Sequence, residues 1–236
     1  MKALNRKLLR DLTLMWSQAL TIALVVASGV GGFVSSLSAI DSLVLSRDQF
    51  YVDGRFADIF STIKRAPASV AVRLLEVSGV ADAQTTLEQT VRIELSGSAD
   101  PVMGRLIGLD RKQPHQMNLV SVQHGRMNRY LTDGVGQSGG DLEALVSETF
   151  ARAHGLQPGD RVAALINGKR RTLVLTGRAL SPEYIFAGAR GVPDPRGYGV
   201  FWLDREALAA AYDMDRAFNQ VAVRLAPGAS PHAVLD

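Results

Sequence analysis

The side chains that could carry out chemistry are present in this sequence, but their spacing matches no catalytic or metal-binding pattern. The four histidines are widely separated, and none belongs to an H-E-x-x-H arrangement: His115, His124, His154 and His232. Ser147-Glu148 and Ser181-Pro182-Glu183 could supply a nucleophile and a base, but no G-x-S-x-G elbow accompanies them. No Walker A sequence is present either. We therefore expect a protein that is not an enzyme, with no catalytic residue, metal site or cofactor in this chain.

One irregular segment, residues 181–198, carries side chains suited to binding another molecule. It places two aromatic and two arginine side chains among Gly and Pro: Tyr184, Phe186, Arg190 and Arg196. Exposed aromatic and arginine residues are enriched at protein interfaces, so this loop is a candidate partner contact. The alternative is that the loop is only poorly ordered.

An uncharged run near the N-terminus decides where all of these residues are placed. No Asp, Glu, Lys or Arg occurs between Asp11 and Asp41. About 20 helical residues cross the roughly 30 Å core of a bilayer, so we predict a transmembrane helix over residues 16–40. One alternative is a cleaved signal peptide, whose apolar part is normally only about 7–15 residues long. Another is the buried core helix of a soluble protein.

Basic residues before the span indicate its orientation. Four of them stand against a single acid, Asp11: Lys2, Arg6, Lys7 and Arg10. Because basic flanks tend to stay in the cytoplasm, we expect the N-terminus inside and the chain from about Asp41 onward outside. Residues 1–15 fit a basic amphipathic helix at the inner interface, or simply an early start of the same helix.

Small residues form one face of the predicted span. They include Ser28, Gly29, Gly32 and Ser36, and the first and third of these are a small-xxx-small pair. Small residues let helix backbones approach closely in lipid, where packing drives association. We predict that this face packs against partner helices, although small residues are also common in spans that have no partner.

Composition limits what the remaining chain does. The net charge is only +3, and no dense basic stripe with interleaved aromatics appears, so nucleic-acid binding is not expected. Cysteine is absent, which excludes disulfides and thiolate metal sites. About 190 residues follow the span, which is enough for one domain or two small ones.

The pattern of elements predicts an α+β exterior domain over residues 57–236, reached through a helical stalk over 41–56. A strand is expected at 57–63, a short helix from Ser69, a long strand at 83–95 and another strand at 102–109. A small β-rich inserted subdomain is expected at about 119–178, where Asn167-Gly168 is a strong hairpin signal. The chain then returns to strand, helix and strand, with Asp204 as the helix N-cap.

Several segments of the chain, taken in order, resemble a known family. They are the opening Leu4–Leu12, the apolar Leu20–Leu24, the run from Leu145-Val146-Ser147-Glu148 to Gly155-Leu156-Gln157-Pro158-Gly159-Asp160, and Asn219–Ala229. Together these segments resemble the MacB-type, FtsX-like permease subunits of ABC transporters. The likeness covers nearly the whole chain, and it depends on the order and spacing of the segments rather than on one specific motif.

The resemblance implies a porter-like α+β domain outside the bacterial inner membrane, with a smaller β-rich insertion. It also implies a cytoplasmic ABC ATPase partner that binds the ATP, a second permease subunit, contact with the lipid bilayer and, in some members, contact with periplasmic proteins. Cargo in the family ranges over lipoproteins, peptides and drugs. The family's downstream membrane core is missing here, and the chain stops one turn into a helix, so we expect a fragment.

Two other functions remain open at this stage. One is a single-span anchored or secreted binding module with no role in transport. It would explain the topology and the lack of catalytic residues, but not the small-residue face of the span. The other is an anchored hydrolase, for which the sequence offers no motif.

Overall fold

The computed structural model describes residues 7, 10, 13–95, 102–110, 112, 116–127, 141–188 and 192–235. The chain divides into two compact units, Met1–Phe50 and Tyr51–Asp236. The predicted turn at 97–101 and the predicted Gly-rich loop at 133–140 lie outside the described residues.

A single long helix, α1, runs from Trp16 to Asp53 without interruption. Its 38 residues correspond to about 57 Å at the 1.5 Å rise of an α-helix. The helix therefore covers the predicted span and continues through most of the predicted stalk. It ends where the chain turns at Arg55, whose φ is 49°, and residues from Gly54 lead into the folded domain.

The second unit is a mixed α/β domain. Its described strands are β1 (Ile59–Pro67), β2 (Val80–Thr86), β3 (Glu88–Glu94), β4 (Val102–Leu109), β5 (Ser121–Gly125), β6 (Asp141–Ser147), β7 (Arg161–Ile166), β8 (Lys169–Leu180), β9 (Tyr198–Asp204) and β10 (Ala217–Leu225). Its described helices are α2 (Ser69–Leu74), α3 (Glu148–His154), α4 (Arg205–Ala211) and α5 (Pro231–Leu235). The predicted fold class, a leading helix followed by an α+β domain, is confirmed.

Two sheets divide these strands. The smaller sheet has the order β1-β10-β2 and is antiparallel throughout. The larger sheet has the order β5-β8-β6-β9-β4-β3-β7, and β7 also pairs with β8. This additional pairing joins β8, β6, β9, β4, β3 and β7 into a closed ring, which removes the unpaired edges that an open sheet would leave. The predicted insertion at about 119–178 supplies β5–β8, and β3, β4 and β9 supply the rest.

The main core lies between the ring of strands and helices α3 and α4. It contains large side chains that are fully buried, including Leu106, Phe150, Leu173 and Phe201. Phe150 and Phe201 meet edge to face with their ring centroids 5.6 Å apart. Burying each such side chain stabilises the fold by about 1.5–3 kcal/mol, so this core positions the polar groups described below.

The predicted long strand over 83–95 is wrong, because the chain changes sheets at Leu87. Residues up to Thr86 pair with β10 in the smaller sheet, and residues from Glu88 pair with β4 in the larger one. Leu87 is completely buried between them. The Asn219 side chain holds the new direction, because it accepts from the Glu88 amide at 2.9 Å and donates to the Glu88 carbonyl at 2.7 Å.

Local signals for turns and caps are confirmed. Asn167 and Gly168 have φ values of 45° and 73° and form the β7–β8 hairpin turn. The Asp204 side chain accepts from the Glu206 amide at 2.9 Å and so caps α4. Gly155 adopts the left-handed conformation that ends α3.

Candidate functional site

The apolar helix α1 is the first functional element. It is long and apolar enough to cross a membrane, and none of its side chains is buried. The large apolar residues along it are exposed, among them Ile22, Val25 and Phe33, each about two-thirds exposed. Apolar surface exposed all around a helix needs an apolar environment such as lipid.

The predicted small-residue face lies within this helix. Ser28, Gly29, Gly32 and Ser36 are all helical and exposed. No atom lies within 4 Å of the position that a Cβ would take at Gly29 or Gly32. The face is therefore open to a partner helix, and its role in packing stays a prediction. Of the basic residues thought to fix topology, Lys7 and Arg10 are helical and exposed, whereas Lys2 and Arg6 lie outside the described residues.

The candidate contact loop needs a correction. Tyr184 is not an exposed contact residue, because only 9% of it is accessible and its hydroxyl points into the domain. Phe186 is 70% exposed. Arg196 is exposed, and its carbonyl lies 2.8 Å from a ring nitrogen of His154. Arg190 lies outside the described residues. A contact role therefore remains a prediction for Phe186 and Arg196.

Tyr184 belongs to a buried polar cluster at the larger sheet. Its hydroxyl oxygen lies 2.5 Å from Glu88 Oε1 and 2.9 Å from Glu183 Oε1. On the other side of Glu88, Arg105 Nη1 lies 3.3 Å from Glu88 Oε2, and Arg105 Nε donates to the Tyr198 hydroxyl oxygen at 2.9 Å. We call Glu88, Arg105, Glu183, Tyr184 and Tyr198 the carboxyl cluster.

Backbone geometry explains how these groups meet. Glu88 begins β3, and Arg105 lies on the neighbouring β4, where it is paired with Thr90. Tyr198 begins β9, which runs parallel to β4. Glu183 and Tyr184 lie in a short 3-10 turn that follows β8. The Arg105 guanidinium carbon also lies 5.9 Å from the centre of the Tyr184 ring, within the range of a cation–π contact.

Burial changes the acidity of the carboxyl cluster. Burial raises the pKa of Glu183 from its usual 4.5 to about 7, and the negative charge of nearby Glu88 raises it further. Burial also raises the pKa of Glu88, although the Tyr184 hydrogen bond and the Arg105 charge oppose this rise. The pKa of Tyr184 is well above its usual value, mainly because of burial. At neutral pH the tyrosine therefore keeps its proton.

Asn118 connects the carboxyl cluster to the exit of α1. Its Nδ2 donates to Glu183 Oε2 at 2.9 Å, and its Oδ1 accepts from the buried Ala57 amide at 3.1 Å. Its own amide donates to the Arg55 carbonyl at 3.0 Å. Leu119 continues the contact by donating to the Gly54 carbonyl at 2.9 Å. We call these four hydrogen bonds, which fix residues 54–57, the Asn118 clasp.

The remaining residues with chemical potential have structural roles. Ser147 Oγ accepts from the Val200 amide at 3.3 Å, and Ser181 Oγ donates to the Asn118 carbonyl at 3.1 Å. Glu148 pairs with Arg152 and Arg178. Within the described ranges, no group of three or more His, Cys, Asp or Glu side chains is placed to hold a metal ion. His115 lies outside those ranges.

Sequence reasoning missed Glu88, Arg105 and Asn118. Glu88 and Arg105 looked like the polar positions of alternating strands, which normally face solvent. A charged residue in each of two strands that pair with each other was the available signal. Asn118 gave no signal, because its role depends on a left-handed backbone with φ of 51° that only the folded chain reveals.

No protein-family model matches this chain, and no curated protein matches it. Among solved structures, the chain is similar to the extracellular domain of the noncanonic ABC-type transporter YknZ from Gram-positive bacteria. The TM-score is 0.44 at 13% identity over 70% of this chain and 81% of that chain. It is also similar to the periplasmic region of MacB from Actinobacillus actinomycetemcomitans, with a TM-score of 0.42 at 14% identity over 70% of this chain and 67% of that chain.

A third similar structure is a domain of a putative permease protein from Porphyromonas gingivalis. Its TM-score is 0.41 at 18% identity, over 76% of this chain and 79% of that chain. The solved structures agree with the resemblance found in the sequence. At these scores the similarity is one of overall fold, and we base function on the residues of this chain.

Proposed function

We propose that the chain is part of a permease subunit of an ABC transporter of the MacB/FtsX-like type. In this proposal α1 crosses the bacterial inner membrane and the second unit lies outside it. The observation that supports it most directly is α1 itself, an apolar helix with no buried side chain that leads into a folded domain. The order of sequence segments shared with that family supports the transport role.

The Asn118 clasp suits a domain that responds to movement of a membrane helix. Residues 54–57 directly follow α1 and are held by four hydrogen bonds to residues 118 and 119. Their positions are also tied to the carboxyl cluster through Glu183. A displacement at Asp53 would therefore reach both sheets rather than be absorbed by a flexible linker.

The partners follow from what the chain lacks. The sequence contains no Walker A motif, so a cytoplasmic ATPase subunit would bind and hydrolyse the ATP. A second permease subunit would pack against the face that contains Ser28, Gly29, Gly32 and Ser36. The permease would couple ATP hydrolysis to a change in the exterior domain, or to export of a lipoprotein, peptide or drug.

Membrane topology is tested with single cysteines, because the natural sequence has none. Lys7→Cys lies before the span, and Lys169→Cys lies in the exposed β7–β8 hairpin. A membrane-impermeant maleimide should label Lys169→Cys in intact spheroplasts and Lys7→Cys only after permeabilisation. Labelling in the opposite order would contradict the orientation, and release of the protein from the membrane would favour a cleaved signal peptide.

The transport role is tested by purification from native membranes. The tagged chain, extracted in mild detergent, should carry ATP hydrolysis activity that belongs to a co-purified Walker A protein. Gly32→Leu puts bulk on the small-residue face and should reduce that activity in the eluate. Val34→Leu lies on the opposite side of the same helix and is the matched control. A binding module with no role in transport predicts no ATPase activity with either variant.

A further inference from the structure

The carboxyl cluster holds one hydroxyl proton between two carboxyl groups. Tyr184 has a single O–H, yet its oxygen lies within hydrogen-bonding distance of both Glu88 and Glu183. A hydroxyl donates one hydrogen bond, so it satisfies only one ionised carboxylate. The other contact is favourable only if that carboxyl group carries a proton and donates to the tyrosine oxygen.

We propose that Glu88 and Glu183 bind one shared proton through the Tyr184 hydroxyl, and that this proton stabilises the Asn118 clasp. The site lies outside the proposed membrane span, and the proposal does not depend on a transport role. Its ligand is a proton, which is exchanged with solvent as the pH changes.

The positions of neighbouring charges assign the proton to Glu183. Glu88 Oε2 faces the Arg105 guanidinium at 3.3 Å, and a nearby cation favours an ionised carboxylate. Glu183 forms no ion pair among the described residues, and its Oε2 accepts from Asn118 instead. The hydrogen bonds then run from Glu183 Oε1–H to the Tyr184 oxygen, and from the Tyr184 O–H to Glu88 Oε1.

This arrangement satisfies the charges as well as the hydrogen bonds. The charged and titratable side chains that face the carboxyl pair are Arg105, Tyr184 and Tyr198. With one proton on Glu183, the charges of Glu88 and Arg105 cancel and the cluster is neutral. Loss of that proton leaves a net negative charge in a mostly buried site, which is costly.

Release of the proton should loosen the Asn118 clasp. Glu88 is held by Arg105, so Glu183 is the carboxylate that can turn toward solvent, to which it is already partly exposed. Such a turn removes Glu183 from Asn118 Nδ2. Asn118 would then lose one of the two side-chain contacts that fix it against Ala57.

Infrared spectroscopy of the full chain in lipid nanodiscs tests the proton directly. A protonated carboxyl group has a C=O stretching band that is separate from the bands of a carboxylate. The native protein should show this band below neutral pH and lose it with a midpoint near the pH of about 7 that burial gives Glu183. Glu183→Gln should lack it at every pH.

Two further variants keep the test decisive. Glu94→Gln removes an exposed carboxylate paired with Arg170 and should leave the band unchanged. Tyr184→Phe keeps both carboxyl groups but removes the hydroxyl between them, so the band should move rather than disappear. The proposal is overturned if the native protein shows no such band, or if the band survives unchanged in Glu183→Gln.

Hydrogen exchange tests the link to the clasp. The amide of Ala57 donates to Asn118 Oδ1, so its protection reports whether the clasp is closed. After correction for the intrinsic pH dependence of exchange, protection should fall as the pH rises through about 7 in the native protein and stay constant in Glu183→Gln. Protection that is independent of pH in both proteins would show that the proton does not control the clasp.

Discussion

Replacing Asn118 by alanine should lower the free energy of unfolding of the second unit by about 3–5 kcal/mol. One residue provides three separate contributions here. Its side chain accepts a hydrogen bond from Ala57, it donates another to Glu183, and it occupies a left-handed backbone conformation. Alanine removes both hydrogen bonds and is strained in that conformation.

Each contribution has a magnitude. Ala57 is only 2% exposed, and leaving its amide unsatisfied costs about 1–3 kcal/mol. The bond to Glu183 contributes roughly 0.5–1.5 kcal/mol. A left-handed conformation costs an L-residue about 1–2 kcal/mol, and asparagine tolerates it better than alanine. Asn118→Gly removes the backbone strain but not the lost hydrogen bonds, so it should be more stable than Asn118→Ala by about 1 kcal/mol.

Trp202 provides the assay. It is buried in the second unit, and the only other tryptophan is Trp16 in α1. In a Trp16→Phe background, fluorescence during denaturant unfolding in detergent therefore reports the second unit alone. Asn167 is the matched control, because it is also left-handed, with φ of 45°, but lies in an exposed turn. The difference between Asn167→Ala and Asn167→Gly gives the backbone cost without burial.

Two results would refute this reasoning about Asn118. If Asn118→Ala were within about 1 kcal/mol of the native protein, the clasp would not contribute the two hydrogen bonds that its geometry indicates. If Asn118→Gly were no more stable than Asn118→Ala while the Asn167 pair differed, the left-handed backbone would not be part of the cost.

Three other predictions concern pH, packing and topology. Because the pKa of Glu183 is raised from 4.5 to about 7, its contribution to stability is complete below pH 4.5 and is lost as the pH rises through about 7. The loss should be about 3 kcal/mol, and Glu183→Gln should abolish it in denaturant titrations across that range. Gly104→Ala should destabilise the second unit by about 1–3 kcal/mol in the fluorescence assay, because the new Cβ would lie 2.6 Å from Ile93 Cγ1. Replacing Lys7 and Arg10 by glutamine should increase the fraction of inverted chains in the maleimide assay, because fewer basic residues then hold the N-terminus inside.

The sequence predicted features that depend on neighbouring residues. The apolar run specified α1, Asn167-Gly168 specified the β7–β8 turn, and Asp204 capped α4 because the amide that it accepts from is two residues away. Each of these features depends on contacts within a few residues, so the pattern of residue types is sufficient to reveal it.

The break at Leu87 could not be predicted in the same way. Residues on both sides of it favour an extended chain, so propensity alone continues the strand through it. The side chain of Asn219, which is 131 positions away in sequence from Glu88, stabilises the change of sheet. A contact of that length leaves no periodic pattern in the local sequence.

The carboxyl cluster shows why the candidate site was assigned to the wrong side of the protein surface. Tyr184 was predicted as an exposed contact because it lies in an irregular segment, and loops usually run over the surface. Glu88 and Arg105 were taken for solvent-facing strand residues for an equivalent reason. Each assignment is reasonable alone, but a buried tyrosine hydroxyl needs partners, and the two glutamates supply them. The arrangement is favourable only with a proton that no single residue of the three reveals, so its pH dependence has to be read from the folded chain.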